Sequence, residues 1–190
     1  MHAMSGCDTT GHIHGKSKNA WWNAFLTASD NVIHALSGLG IDDEPSEMVL
    51  KGCEELVCQL YNTSKFTHTH IKEARWSYFL ALKANQGTEK LPPTQGAIHE
   101  HTRRAHLQCR IWQQVLVAKP RKLEATALGW SRERNDELMP VLSRLPPAPE
   151  SLVQLVKCSC GKGECRGRCT CRQNDIDCTE FCVCEGNYET

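Results

Sequence analysis

The cysteine-rich C-terminal stretch constrains this chain most. From Lys157 to Thr190 it reads KCSCGKGECRGRCTCRQNDIDCTEFCVCEGNYET, and eight of the twelve cysteines fall there: Cys158, Cys160, Cys165, Cys169, Cys171, Cys178, Cys182 and Cys184. Its only large apolar side chains are Ile176, Phe181 and Val183. Fixing the backbone of each residue costs roughly 1–2 kcal/mol, whereas a fully buried apolar side chain returns about 1.5–3 kcal/mol. A hydrophobic core cannot fold this segment, so disulfides or metal must. The opening MHAMSGCDTT has no basic-then-apolar stretch and no cleavage pattern, so no export signal is expected there. Dense thiols in a reducing compartment read as metal ligands; a disulfide knot in an exported protein is the alternative.

The spacing C-x-C-x4-C-x3-C-x-C-x6-C-x3-C-x-C sets short thiolate pairs on tight turns that let several pairs converge on one ion. Zinc takes four tetrahedral ligands and favours thiolate, so two ions with four unshared thiolates each would use all eight. Lys157, Lys162, Arg166, Arg168 and Arg172 are expected to offset the cluster's negative charge and lower the thiol pKa values.

These residues resemble the tesmin-like CXC domain, a cysteine-rich module of chromatin-associated proteins, over Lys157 to about Glu189. The resemblance implies a zinc cluster held by nine cysteines, some bridging, and often sequence-specific DNA binding. Two positions depart from the pattern. Tyr188 stands near where the ninth cysteine is expected, which leaves the zinc count at two or three. Arg168 stands where DNA-reading forms carry a tyrosine before the fourth cysteine.

Net charge is zero, so no global field draws the chain to nucleic acid. Charge is uneven within the tail, however. Basic residues dominate up to Arg172, and Asp175, Asp177, Glu180, Glu185 and Glu189 follow. A DNA contact would therefore use Lys157, Lys162, Arg166, Arg168 and Arg172, with Gly15 and Lys16 as a second candidate pair.

That second pair lies in HAMSGCDTTGHIHGKSKNAWWNAF, where a glycine turn feeds an apolar helical run and could cradle a phosphate. The passage resembles the flap-endonuclease (PIN-like) nuclease segment. Asp8 matches its metal-binding aspartate, and Gly15 with Ser17 matches the two glycines of its hairpin. With PPTQ at Pro92–Gln95 and the CXC-like tail, the chain is also similar to uncharacterised, mobile-element-associated animal proteins. The resemblance implies a C-terminal fragment or a decayed copy of one. Two-metal hydrolysis needs several carboxylates around ions about 4 Å apart, and Asp8 alone does not supply them. Asp8 reads as a turn or capping residue, and only weakly as catalytic.

The middle reads as helices. They are expected over Lys18–Ala28, Asn31–Leu39 after an Asp30 cap, Ser46 to about Tyr61, Ile71 to about Asn85, and Thr94 to about Val117. Cys53 and Cys58 lie about 140° apart around the third helix, so they read as small core residues rather than ligands. The fifth helix has an apolar stripe from Ile98 to Leu116; its opposite face, with His99, Arg103, His106, Arg110 and Gln113, reads as solvated. The pairs His12/His14, His68/His70 and His99/His101 read as ordinary residues, since none forms a His-Glu-x-x-His zinc motif. From Lys119 to Glu150 five prolines predict an irregular connection that ends in the stiff spacer Pro146–Pro149.

The expected fold is mainly α. A helical domain covers 1–117, with a PIN-like remnant at 1–28, and an irregular Pro-rich linker covers 118–150. A zinc-stabilised module with little regular structure covers 151–190. Expected function is zinc binding with DNA or chromatin contact, non-catalytic as it stands. The alternatives are a nuclease fragment and a protein-interaction scaffold. No small-molecule substrate is indicated, no apolar run approaches the ~18 residues of a membrane span, and the expected location is the nucleus.

Overall fold

The computed structural model describes residues 1–64, 67–81, 88–145, 157–160, 165, 169–173, 178 and 182–184. The chain divides into two units, Met1–Arg144 and Leu145–Thr190. The first holds helices α1 (Lys18–Leu26), α2 (Asp30–Ser37), α3 (Glu47–Gln59), α4 (Ile71–Ala81) and α5 (Gln95–Gln113). Four of these begin at a hydroxyl. Ser17, Ser29, Ser46 and Thr94 hold extended backbone and accept hydrogen bonds from the N–H groups of Ala20, Val32, Val49 and Ala97 at 3.2–3.4 Å. Each such cap is worth about 0.5–2 kcal/mol.

The cap of α2 is Ser29, not Asp30 as the sequence predicts. Asp30 instead lies in the first turn, where its carboxylate meets the positive end of the helix dipole. The helix α5 stops at Gln113, short of Val117, because the next N–H groups bond three residues back: Gln114 to Ile111 O and Val115 to Trp112 O. The stretch expected to finish α4 after Ala81, like the spacer Pro146–Pro149, lies outside the described residues.

The core forms around α3. Its Val49, Cys53, Leu56 and Val57 are buried with Trp21 of α1, Val32 of α2, Ile71 of α4 and Ile98 and Ala105 of α5. Cys53 and Cys58 are wholly buried core residues, and burial pushes both thiols up to about 12. The helices α2 and α3 touch almost backbone to backbone at Gly52, where an added Cβ would come within 2.2 Å of Ala35 Cβ.

Buried charges tie the helices together. Glu54 on α3 accepts from Ile71 N at 3.2 Å and Gln95 Nε2 at 2.9 Å, and lies 3.5 Å from His99 Nε2. Burial alone would raise its pKa, but these partners outweigh that and hold the carboxyl down at about 2. The face of α5 expected to be solvated is largely packed. His106 is fully buried, its Nδ1 accepting from Gly40 N at 3.1 Å and its Nε2 bonded to Asp42 O at 2.8 Å. Arg103 pairs with buried Glu100 at 2.7 Å, and Arg110 with Asp43 at 2.7 Å. Helical periodicity finds one apolar stripe; it does not show that α5 has neighbours on a second side as well.

Residues 118–145 carry little regular structure. A 3-10 turn spans Ala125–Ala127, and a short antiparallel hairpin pairs β1 (Trp130–Arg132) with β2 (Leu138–Pro140), Ser131 opposite Met139. Arg104 of α5 clamps it, donating from Nη1 to Gly129 O at 3.0 Å and Val141 O at 2.7 Å. Gly129 has φ 85°, and a Cβ there would lie 2.6 Å from Glu100 O, so only glycine fits this approach.

Candidate metal centre

Among the described residues of the second unit, the buried ones are cysteines. Cys158, Cys165, Cys169, Cys171, Cys182 and Cys184 are each no more than 5 % exposed, with Cys160 and Cys178 half-buried against them. Two local devices gather them. A single helical turn, α6 (Thr170–Gln173), is closed by Gln173 N to Cys169 O at 2.9 Å. Val183 N donates to Cys158 O at 3.2 Å, which brings the last C-x-C pair beside the first cysteine.

Sulfur–sulfur separations identify what such a cluster can hold. Cys158 Sγ lies 3.9 Å from Cys165, 3.8 Å from Cys178 and 3.7 Å from Cys184. Cys178 is 3.6 Å from both Cys165 and Cys169, and Cys171 is 3.6 Å from Cys182. A disulfide needs about 2.05 Å, and all eight cysteines are free. Four thiolates placed tetrahedrally at about 2.3 Å from an ion are separated by about 3.8 Å. The separations just given lie close to that edge, and the remaining ones within each four-sulfur group stay under 4.8 Å.

Two four-sulfur groups meet the requirement: Cys158, Cys165, Cys169 and Cys178, and Cys158, Cys171, Cys178 and Cys182, each with all sulfurs within 4.8 Å of one another. The two candidate groups have Cys158 and Cys178 in common, so these two thiols lie within reach of either one. Spacing in sequence fixes how far each pair can reach; it carries no signal for which thiols fall within one four-sulfur group.

The thiols of the cluster are not electrostatically alike. Cys169 is drawn down to about 6, first by the N–H of Arg172, against burial, and then by the Cys178 and Cys158 thiols and the N–H of Cys171. Its neighbours move the other way. The Cys184 thiol and burial raise Cys165 to about 11. Burial and the adjoining thiols raise Cys171 and Cys178. At Cys158 the N–H of Cys160 lowers the pKa, but burial and the thiols of Cys184, Cys169 and Cys160 outweigh it. Among the described residues, these thiols are shifted chiefly by one another, by burial and by backbone N–H groups. Packed thiols resist ionising together unless a cation compensates them, and a bound divalent ion does so at the shortest range.

Of the basic residues proposed for nucleic acid, Lys157 is half-buried and Arg172 exposed; Lys162, Arg166 and Arg168, like Tyr188, lie outside the described residues. In the first unit Gly15 is exposed with φ 69°. The Lys16 ammonium donates to Leu60 O at 2.6 Å and lies 3.9 Å from the Tyr61 ring centre, and burial lowers its pKa. Asp8 is exposed in the two-residue turn closed by Cys7 N to Thr10 O at 3.1 Å and Thr10 N to Cys7 O at 3.3 Å. Thr9 of that turn donates to Gln108 Oε1 of α5. Among the described residues no second carboxylate lines either cavity that Asp8 borders.

No family model matches the chain, and no match is found among the curated proteins or the solved structures. Fold and site together define a mainly helical protein with a cysteine cluster that could bind metal. Among the described residues no helix is long and apolar enough to cross a membrane.

Proposed function

We propose that the C-terminal unit is a zinc-binding module of the CXC type and that the protein uses it to contact DNA or chromatin in the nucleus, without catalysis. The observation that carries the metal part is the convergence of free cysteines, most of them buried, into four-sulfur groups within 4.8 Å, with neighbouring sulfurs 3.6–3.9 Å apart. Zinc is the ion favoured by an all-thiolate tetrahedron, and two or three ions suit the shared sulfurs. The DNA part rests on the basic run Lys157, Lys162, Arg166, Arg168 and Arg172 within the module.

Titrating the zinc-loaded chain with duplex DNA at two salt concentrations tests the DNA reading. Affinity is expected to fall steeply as salt rises, with a logarithmic slope of about −0.9 per phosphate contacted. Replacing Arg166, Arg168 and Arg172 together by alanine should flatten that slope. An unchanged affinity in this triple variant, with zinc retained, overturns DNA contact while leaving the metal site standing. Arg168 at the tyrosine position favours one second reading, in which the same surface meets an acidic protein partner. Salt-independent DNA binding, or none, would shift the case to that scaffold role.

A further inference from the structure

A cavity of about 310 Å³ lies within the Met1–Arg144 unit, where the opening turns meet the start of α1. Ser5, Gly6, Cys7 and Thr10 line it together with His12, Lys16 and Lys18. The volume sits at the small end of the roughly 300–1,000 Å³ of ligand sites. Among the described residues no large aliphatic or aromatic side chain borders it, so it suits a small polar guest rather than an apolar one.

The charge of this lining is of one sign. Lys18 Nζ donates to Gly6 O at 2.6 Å and to Ser5 Oγ at 3.3 Å, and lies 3.1 Å from His2 Nδ1. Lys16 Nζ is held by Leu60 O and the Tyr61 ring. Such oxygens fix where an ammonium sits, but as neutral dipoles they leave its unit charge in place. Among the described residues no carboxylate borders the cavity, and neither ammonium forms an ion pair. Burial lowers the Lys16 pKa with no carboxylate acting to raise it. Asp8, the closest carboxylate in sequence, borders two other cavities. Lys18 opens α1, whose first turn carries no acidic residue, so the positive end of that helix adds to the charge. Two cations are thus gathered at one small polar cavity with no group of opposite sign in its lining.

We propose that this cavity binds a small phosphomonoester, its dianionic head facing Lys16 and Lys18. A monoester, with a second pKa near 6, carries close to two negative charges at pH 7.5 and matches two ammonium groups; a diester carries one. Lysine meets phosphate as a compact point charge, which needs no planar fork. The reading rests on neither the metal nor the DNA assignment of the tail. The test is an NMR titration of the full chain at pH 7.5 and constant ionic strength, following the amides of Gly6, Cys7 and Thr10. Methyl phosphate should shift them saturably and bind about two- to five-fold more tightly than dimethyl phosphate, the range of one partly exposed ion pair. Lys18→Gln, a change at an exposed side chain, should weaken methyl phosphate by a similar factor, and adding Lys16→Gln should erase the preference over the diester. Lys51→Gln, which does not line the cavity, should leave binding unchanged. No saturable shift, equal affinity for the two esters, or wild-type affinity in Lys18→Gln would overturn the proposal. So would displacement of methyl phosphate from these amides by equimolar duplex DNA, since the polymer backbone would then own the cavity.

Discussion

Gly52 faces Ala35 across the α2–α3 contact with no room for another carbon, since an added Cβ would fall 2.2 Å from the Ala35 methyl. Gly52→Ala should therefore destabilise the helical unit by about 1–3 kcal/mol. Gly11→Ala, where nothing lies within 4 Å, should change it by less than about 0.5 kcal/mol. Urea unfolding of the two variants checks the contrast. His106 and His101 give a pH signature. Burial holds both below the ordinary histidine value of 6.5, against backbone carbonyls at Asp42 and Met4 and with Arg110 and Arg104 reinforcing the shift. Asp42 and Glu44 oppose it at His106. With folded values depressed, their contribution is full above pH 6.5 and fades as pH falls through the folded values. The thermal midpoint of the helical unit should drop from pH 7 to pH 5, and a midpoint that rises would contradict this reading. Within the cluster, Cys178→Ser removes a sulfur common to both four-thiol groups, whereas Cys160→Ser touches neither group. Bound zinc should fall further in the first variant than in the second. The sequence announces all eight cysteines yet ranks none of them, because their order of importance is set by where the folded backbone places each sulfur.

At the level of elements, hydroxyl caps were the most readable feature. Ser46 and Thr94 start α3 and α5 where a serine or threonine precedes a periodic apolar run. Asp30 misled because Ser29 and Asp30 are adjacent and both cap well; dihedrals separate them, and dihedrals are not written in composition. Thr94→Ala should cost about 0.5–2 kcal/mol, read as a lower denaturation midpoint with an unchanged slope. A loss confined to the slope would mean that the cap does not act on the native state. The second packed side of α5 was illegible for a different reason. His106 and Arg103 look solvated in a helical projection, but Gly40 and Glu100 supply partners from positions distant or adjacent in sequence that periodicity does not couple. The hairpin at Trp130–Pro140 was hidden as well, since prolines and charges dominate its composition and its strands are three residues each.

Across the whole chain, two kinds of cohesion operate. Met1–Arg144 is held by apolar burial around α3, helped by the Glu54 and His106 hydrogen bonds. Leu145–Thr190 has a core of thiols, which by themselves offset little of the entropy of ordering a chain. A strong zinc chelator should therefore expose Lys157–Thr190 to proteolysis while the helical unit stays resistant. Simultaneous loss of both units would show that they do not fold independently. That a cysteine-rich tail with little apolar material could gather a metal-binding cluster was legible from its composition; which sulfurs come within reach of one another was not. Native mass spectrometry of the purified, non-reduced full chain tests the central claim most directly. Each bound zinc that displaces two protons adds about 63 Da, and each disulfide removes about 2 Da. The account predicts a mass carrying two or three zinc ions with every cysteine still in the reduced thiol state and no disulfide mass loss. A metal-free chain lighter by the mass of several disulfides would contradict it.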